Sequence, residues 1–221
     1  MDILLEIDQW LFLLINHLPH QSIFVGLMLF FSLIGSAAVV WLVLGIIIGW
    51  WQKKRSLKSM VNFLWPLFLS LALCTILVTL ILKPLVGRLR PNWVMAETRV
   101  WGLTLDDFSF PSGHATSSFA CAYVLTKKLK KMKVKKTKKE KLAIQKVFTI
   151  ADVFWIAKNW KLKLNFYSLS LYSLAGLISF SRVYLGKHYP SDVLVGAVLG
   201  VAIGKVAVFV DKKLVNLVNR P

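Results

Sequence analysis

The sequence predicts an all-α protein: an integral membrane helical bundle of about six helices, five strong spans plus a short N-terminal helix. Three observations predict it. Hydrophobic residues make up 57% of the 221 residues and mean hydropathy is +0.63, above what a soluble domain of this size carries. Between Asp8 and Lys53 no side chain has a formal charge, and a run beyond roughly 18 apolar residues marks a bilayer-spanning helix. The formal net charge of +18 is gathered into a few segments between apolar runs.

The first residues, "LLEIDQWLFLLINHLPH", have a short apolar core from Trp10 to Leu18, closed by Pro19. They read either as a sixth span or as an interfacial helix. No cleaved leader is expected, because Asp2, Glu6 and Asp8 stand where a leader needs basic residues. The uncharged stretch before Lys53 supplies the first strong span, and four more follow at Ser59 to Leu82, Phe108 to Thr126, Leu164 to Ser181 and Val193 to Val210. Lys205 alone interrupts the last. Within it Gly196, Gly200 and Gly204 recur every fourth residue, which lets a neighbouring helix approach closely. Cys74 and Cys121 fall inside spans and indicate packing, not a disulfide framework or a zinc site.

The basic segments are "QKKRSLK" (Gln52 to Lys58), a lysine-rich stretch over 127–163, and "DKKLVNLVNR" after the last span. If every strong span crosses, all three fall on one side, which the positive-inside rule makes cytoplasmic. The expectation is one domain over 1–221 in the inner (cytoplasmic) membrane, multi-pass, with the opposite loops extracytoplasmic. Residues 127–163 form an insertion whose lysines touch anionic membrane lipids, a better reading than nucleic-acid binding. Inside it Ile144, Val147, Phe148, Ala151, Phe154 and Trp155 recur at helical spacing, while Lys146, Asp152 and Lys158 break the run. That pattern predicts an amphipathic helix lying along the membrane surface.

Three polar clusters sit at outer ends of spans. "KPLVGRLRP" places Lys83, Arg88 and Arg90 before Pro91, positive charge on the side where it is usually scarce. "FSFPSGHATSS" opens a helix: Pro111 suits the first turn, Gly113 permits close backbone approach, and free N–H groups with the Ser112 hydroxyl make an anion cradle. His114 stands beside it as a proton donor. "SRVYLGKHYPSD" carries Arg182, His188 and Asp192. Asp192, four residues after His188, accepts a hydrogen bond from one imidazole nitrogen and leaves the other as nucleophile or base. Each cluster alone has an ordinary structural explanation, but the topology brings all three to one membrane face.

Lys83, Arg90 and Arg182 supply more positive charge than one carboxylate needs, so phosphate is the natural guest. His188 would attack phosphorus, His114 would protonate the departing oxygen, and water would hydrolyse the phosphohistidine. The cations stabilise charge on the equatorial oxygens, so no metal or other cofactor is called for.

Lys83 with Arg90-Pro91, the tetrad Pro111-Ser112-Gly113-His114, and Ser181-Arg182 with His188 and Asp192 resemble the three signature motifs of the type 2 phosphatidic acid phosphatase superfamily. The resemblance implies a six-helix membrane core with His188 as nucleophile, Asp192 as its orienting partner and His114 as general acid. It implies phosphate binding by Lys83, Arg90, Ser112, Gly113 and Arg182. The 127–163 insertion departs from the brief turn of small bacterial members. Soluble vanadium haloperoxidases of the same superfamily are disfavoured by the spans.

Small size and a compact core resemble bacterial undecaprenyl diphosphate phosphatases, so the expected reaction is undecaprenyl diphosphate to undecaprenyl phosphate, part of cell wall biogenesis. Phosphatidylglycerophosphate, phosphatidate and lipid A are competing substrates, because the motifs read the phosphate and not the tail. An anion channel or transporter would distribute charge through membrane depth, and a catalytically dead scaffold would lack the reactive groups.

Overall fold

Pro19 and the polar residues around it end the first helix: α1 spans Asp2–Asn16, and α2 begins at Ser22. The computed structural model describes the backbone of residues 2–52, 56–103, 106–144 and 150–218, and the side chains of 3–36, 38–52, 56–103, 106–129, 166–214 and 217. Among these residues the regular structure is entirely helical.

α2 (Ser22–Gly35) and α3 (Val39–Trp51) are separated by a 3-10 turn at Ser36–Ala38 and bend by 68°. The first predicted span is therefore a broken one. Gly35 sits at the break because Ile178 lies against it: a Cβ there would come 2.4 Å from that side chain. α4 (Leu57–Cys74) starts with Ser56, whose hydroxyl accepts from the Ser59 N–H at 3.2 Å. It continues through eight residues of π-helix, Thr75–Leu82, into α5 (Lys83–Val86). After α6 (Pro91–Val94) and a long loop come α7 (Gly113–Ile144), α8 (Ile150–Tyr184) and α9 (Pro190–Val218).

Two stretches are long and apolar enough to cross a membrane, Leu57–Val94 and Pro190–Leu214, and the bent α2–α3 pair would make a third. The runs at Phe108 to Thr126 and Leu164 to Ser181 fall in α7 and α8, which do not reach that standard over the described residues. Breaks at Ser36–Ala38 and short helices on either side of Arg88 divide the described residues more finely than the expected count of about six helices. The third run also becomes helical at Gly113, not Phe108, since residues 108–110 serve the loop.

The lysine-rich residues extend two helices, the end of α7 and the start of α8. Of the surface helix expected there, Val147 and Phe148 lie outside the described residues, and Ile144, Ala151, Phe154 and Trp155 are described in backbone only.

The core joins Trp41 of α3 and Phe63, Leu64 and Leu67 of α4 to Leu125, Ala175, Ile178 and Ala207 of the three long helices. Trp41 satisfies its indole N–H on Ser118 Oγ at 3.2 Å. Phe24, Phe30, Trp65, Leu80 and Val198 are exposed, as expected of surface facing lipid. Cys74 and Cys121 are buried and free.

The glycine stripe of α9 lies on the α7 backbone. A Cβ on Gly196 would come 2.9 Å from the Ser112 carbonyl oxygen, on Gly200 2.3 Å from that of Thr116, and on Gly204 2.8 Å from that of Ala120. At the far end Lys128 pairs with Asp211 at 3.1 Å. Helices α7 and α9 thus run side by side in the same direction from a shared starting end.

Candidate active site

The turn after α8 sets the first histidine. Gly186 has φ +78° and its α-carbon faces the Arg99 carbonyl, 2.4 Å from where a Cβ would sit, so the chain needs glycine to reverse here. His188 follows, 2% exposed. Its Nδ1 lies 3.5 Å from Asp192 Oδ2 and 3.4 Å from Ser109 Oγ, and the Ser109 hydroxyl donates to the same carboxylate. Asp192 also accepts the Tyr189 N–H at 2.9 Å, while its Oδ1 receives Arg88 Nη1 at 2.7 Å. The predicted pairing of His188 with Asp192 is present, and Nδ1 is the nitrogen that faces the carboxylate.

The second cluster meets this one through the backbone. The Ser112 N–H donates to the Asp192 carbonyl at 3.0 Å. Ser112 Oγ is buried without a hydrogen-bond partner. Gly113 is not crowded by protein, since a Cβ there would meet only Val78, at 4.0 Å. His114 Nε2 lies 3.2 Å from Ser36 Oγ, which the break after α2 brings to it. A cavity of about 240 Å3 opens beside this imidazole, lined among others by Gly35, Leu71, Thr75, Val78 and Ser117.

Lys83 and Arg90, both buried, converge on one carboxylate. Asp107 accepts from Lys83 Nζ and from Arg90 Nη2, and its carbonyl accepts from Arg90 Nε at 2.9 Å. Arg90 Nη1 donates to the Lys187 carbonyl at 2.8 Å, tying the first cluster to the third. Arg182 donates from Nη1 to Ser32 Oγ, but its buried Nε has no partner. Two buried donors, one hydroxyl and one guanidinium nitrogen, are therefore unsatisfied in the same region, a costly arrangement for groups with no ligand to serve.

Electrostatics follow from burial among cations. Burial, together with Arg182 and Arg90, lowers the His188 imidazole to about 4 against the opposing hydrogen bond to Asp192. The imidazole is thus neutral near pH 7, the form a nucleophile needs. Lys187, whose Nζ donates to the Leu103 carbonyl at 2.7 Å, is lowered to about 8 by burial and by Arg182 and Arg90. Burial alone would raise the Asp107 carboxyl, but Lys83 and Arg90 outweigh it and hold it below the usual range. Among the described residues no group of three His, Cys, Asp or Glu side chains is arranged to hold a metal ion.

All eight residues singled out from the sequence, Lys83, Arg90, Ser112, Gly113, His114, Arg182, His188 and Asp192, belong to this one end of the bundle. Sequence reasoning missed Asp8, Ser109, Asp107 and Lys187, and noticed Arg88 only as one charge in a cluster. Ser109 lies inside the quoted helix-opening stretch, and Lys187 directly precedes His188. Asp107 and Asp8 carry no local signal; only folding brings them to the cations.

The lipid A 4'-phosphatase of Porphyromonas gingivalis is 24% identical over 209 residues, covering 92% of this chain and 72% of that protein. The lipid A 4'-phosphatase of Bacteroides thetaiotaomicron is 29% identical over 143 residues, covering 60% of this chain and 47% of that protein. Among solved structures, the Bacillus subtilis PAP2 type phosphatidylglycerolphosphate phosphatase superposes with a TM-score of 0.66 at 20% identity, covering 96% of this chain and 88% of that one. Aquifex aeolicus LpxE gives 0.59 at 23% identity, covering 90% and 92%. At such identities the two structures support the fold. Residues 63–215, which carry all three clusters and the glycine stripe, match the model of one family, and the chain belongs to the PAP2 superfamily.

Proposed function

We propose that this chain is a membrane lipid phosphatase that removes a phosphate monoester from a lipid A type glycolipid, without a metal, through a phosphohistidine intermediate. The observation that carries the phosphate reading is the pair of buried, unpartnered donors, Ser112 Oγ and Arg182 Nε, beside a neutral His188. The substrate class is supported by the names of the curated relatives described above. The undecaprenyl diphosphate expected from the sequence has no such support and becomes a competitor in the test.

In this reading the phosphoryl group sits between the two imidazoles. Asp192 faces Nδ1 of His188, so Nε2 attacks phosphorus as the bond to the lipid oxygen breaks, and His114 gives that oxygen a proton that it takes up from the bound phosphate monoanion. His114, now neutral, takes a proton from water, whose oxygen attacks phosphorus. The P–N bond breaks, and inorganic phosphate and free His188 result. Arg182, Lys83, Arg90, the Ser112 hydroxyl and the Gly113 amide stabilise the equatorial oxygens. The cavity beside His114 lies on the leaving-group side and gives the lipid moiety room. The basic segments at the other end of the bundle favour an inner-membrane protein whose site opens on the extracytoplasmic face.

The test is hydrolysis by the purified protein in detergent with chelator present. Lipid A, undecaprenyl diphosphate, phosphatidate and phosphatidylglycerophosphate are compared side by side. Highest kcat/KM on lipid A supports the substrate; release from none of them rejects the phosphatase reading.

A further inference from the structure

Helix α1 lies outside the residues matched by the family model, yet it reaches the site. Asp8, Phe12 and Asn16 recur at spacing four and so share one helix face. Asn16 donates to the Arg99 and Tyr184 carbonyls at 2.8 and 2.9 Å and accepts the Arg99 N–H at 2.8 Å. The Phe12 ring lies 5.6 Å from that of Tyr189. Asp8, only 7% exposed, accepts the Ser191 N–H at 2.9 Å on Oδ1 and receives Arg88 Nη2 at 2.7 Å on Oδ2, where the Ser191 hydroxyl also donates.

Arg88 is thereby shared between two carboxylates. Its Nη1 lies 2.7 Å from Asp192 Oδ1 and 2.7 Å from Ser191 Oγ, and its guanidinium stacks 3.9 Å over the Tyr189 ring. We propose that Asp8 is a positioning residue for His188, acting through Arg88 on Asp192. This rests on the phosphohistidine reading above and deepens it.

Asp8 acts on the pair through its charge. An Arg88 bound to Asp192 alone would neutralise the carboxylate that must stabilise the imidazolium character developing on His188. Asp8 takes up half of the guanidinium, so the trio Asp8, Arg88 and Asp192 keeps a net charge of about −1. The other charged or titratable groups facing His188 are Arg182 of α8, Arg90 after α5, His114 of α7 and its neighbour Lys187, and Asp107 lies beyond Arg90. Asp192 is the anion in direct contact, so a change in its effective charge is felt at the nucleophile. Backbone anchoring adds geometry: the Ser191 N–H held by Asp8 belongs to the same first turn of α9 as Asp192.

Opposite shifts in the pH profile separate this role from simple packing. Wild type, Asp8→Asn and Arg88→Gln, each checked for folding by size exclusion and thermal melting in detergent, are compared by kcat/KM against pH on the best lipid phosphate. Asp8→Asn takes the trio to zero, so the acid limb moves to lower pH by about 0.5–1 unit and kcat falls about 10-fold, with KM within about twofold. Arg88→Gln takes it to −2, and the acid limb moves up by a similar amount. Phe12→Leu loosens α1 without changing charge and leaves the limb in place.

Limbs that stay put, or that move the same way in both charge variants, overturn the role of Asp8, as does a Phe12→Leu shift matching that of Asp8→Asn. If only one charge variant folds, its own direction of shift decides. A wild-type protein that releases phosphate from no lipid overturns the functional reading itself, and this proposal with it.

Discussion

The amide of Ser112 donates to the carbonyl of Asp192 across 3.0 Å, so the first turns of α7 and α9 are fastened to each other. His114 and His188 share one rim because these two helices start together and stay in contact along the glycine stripe.

Forcing them apart should therefore impair both stability and turnover. A Cβ on Gly200 would come 2.3 Å from the Thr116 carbonyl, a backbone atom that cannot swing aside. Gly200→Val is expected to cost about 1–3 kcal/mol of stability and more than 10-fold in kcat. Gly26→Ala, with no atom within 4 Å of the added carbon, should match wild type in both melting and turnover. Equal behaviour of the two variants would argue against the helix contact.

His188→Ala should lower kcat by about 10^4-fold or more, since binding cannot replace a covalent nucleophile. Rapid alkaline quench with labelled substrate, which preserves an acid-labile P–N bond, should trap phosphate on the wild-type protein and none on the variant. The free imidazole sits at about 4, so the attacking neutral form dominates above that value and is lost as pH falls through it. An acid limb of kcat/KM near pH 4 is expected, absent if another group is the nucleophile.

For His114 the discriminating variable is the leaving group. His114→Ala should slow alkyl phosphates by about 10^2-fold or more and aryl phosphates of low leaving-group pKa far less. A uniform loss across the series would leave His114 only its contact with Ser36.

Asp107 pairs with both Lys83 and Arg90. If these cations bind phosphate as proposed, an incoming oxyanion has to displace that carboxylate. Asp107→Asn should therefore tighten competitive inhibition by vanadate by roughly 3- to 10-fold, an effect that shrinks at high salt. Weaker inhibition would mean that Asp107 serves mainly to hold the chain beside it against Lys83 and Arg90.

Much of this site was legible in the sequence because its chemistry sits in short motifs. His188 and Asp192 are four residues apart, so one helical turn suffices to pair them, and the glycines of α9 announce the close contact with α7. What could not be read depends on long-range packing. Asp8 reaches Ser191 across 183 residues, Ser32 meets Arg182 across 150, and Lys83 meets Asp107 across 24. The break at Ser36–Ala38 was equally hidden, because an apolar run gives no sign that it will bend. Apolar periodicity also fixed the spans only loosely, placing the start of α7 five residues early.

The wide turns between Thr75 and Leu82 have a consequence for how this lineage can change. Eight residues wound with i to i+5 bonding set the azimuth at which Lys83 leaves the helix, and an ordinary α-helix advances about 100° per residue. A residue lost there can be absorbed by tightening a wide turn to an ordinary one, whereas Thr75 and Val78 line the cavity beside His114 and tie the stretch to its side-chain sizes. Drift there is thus freer in length than in composition.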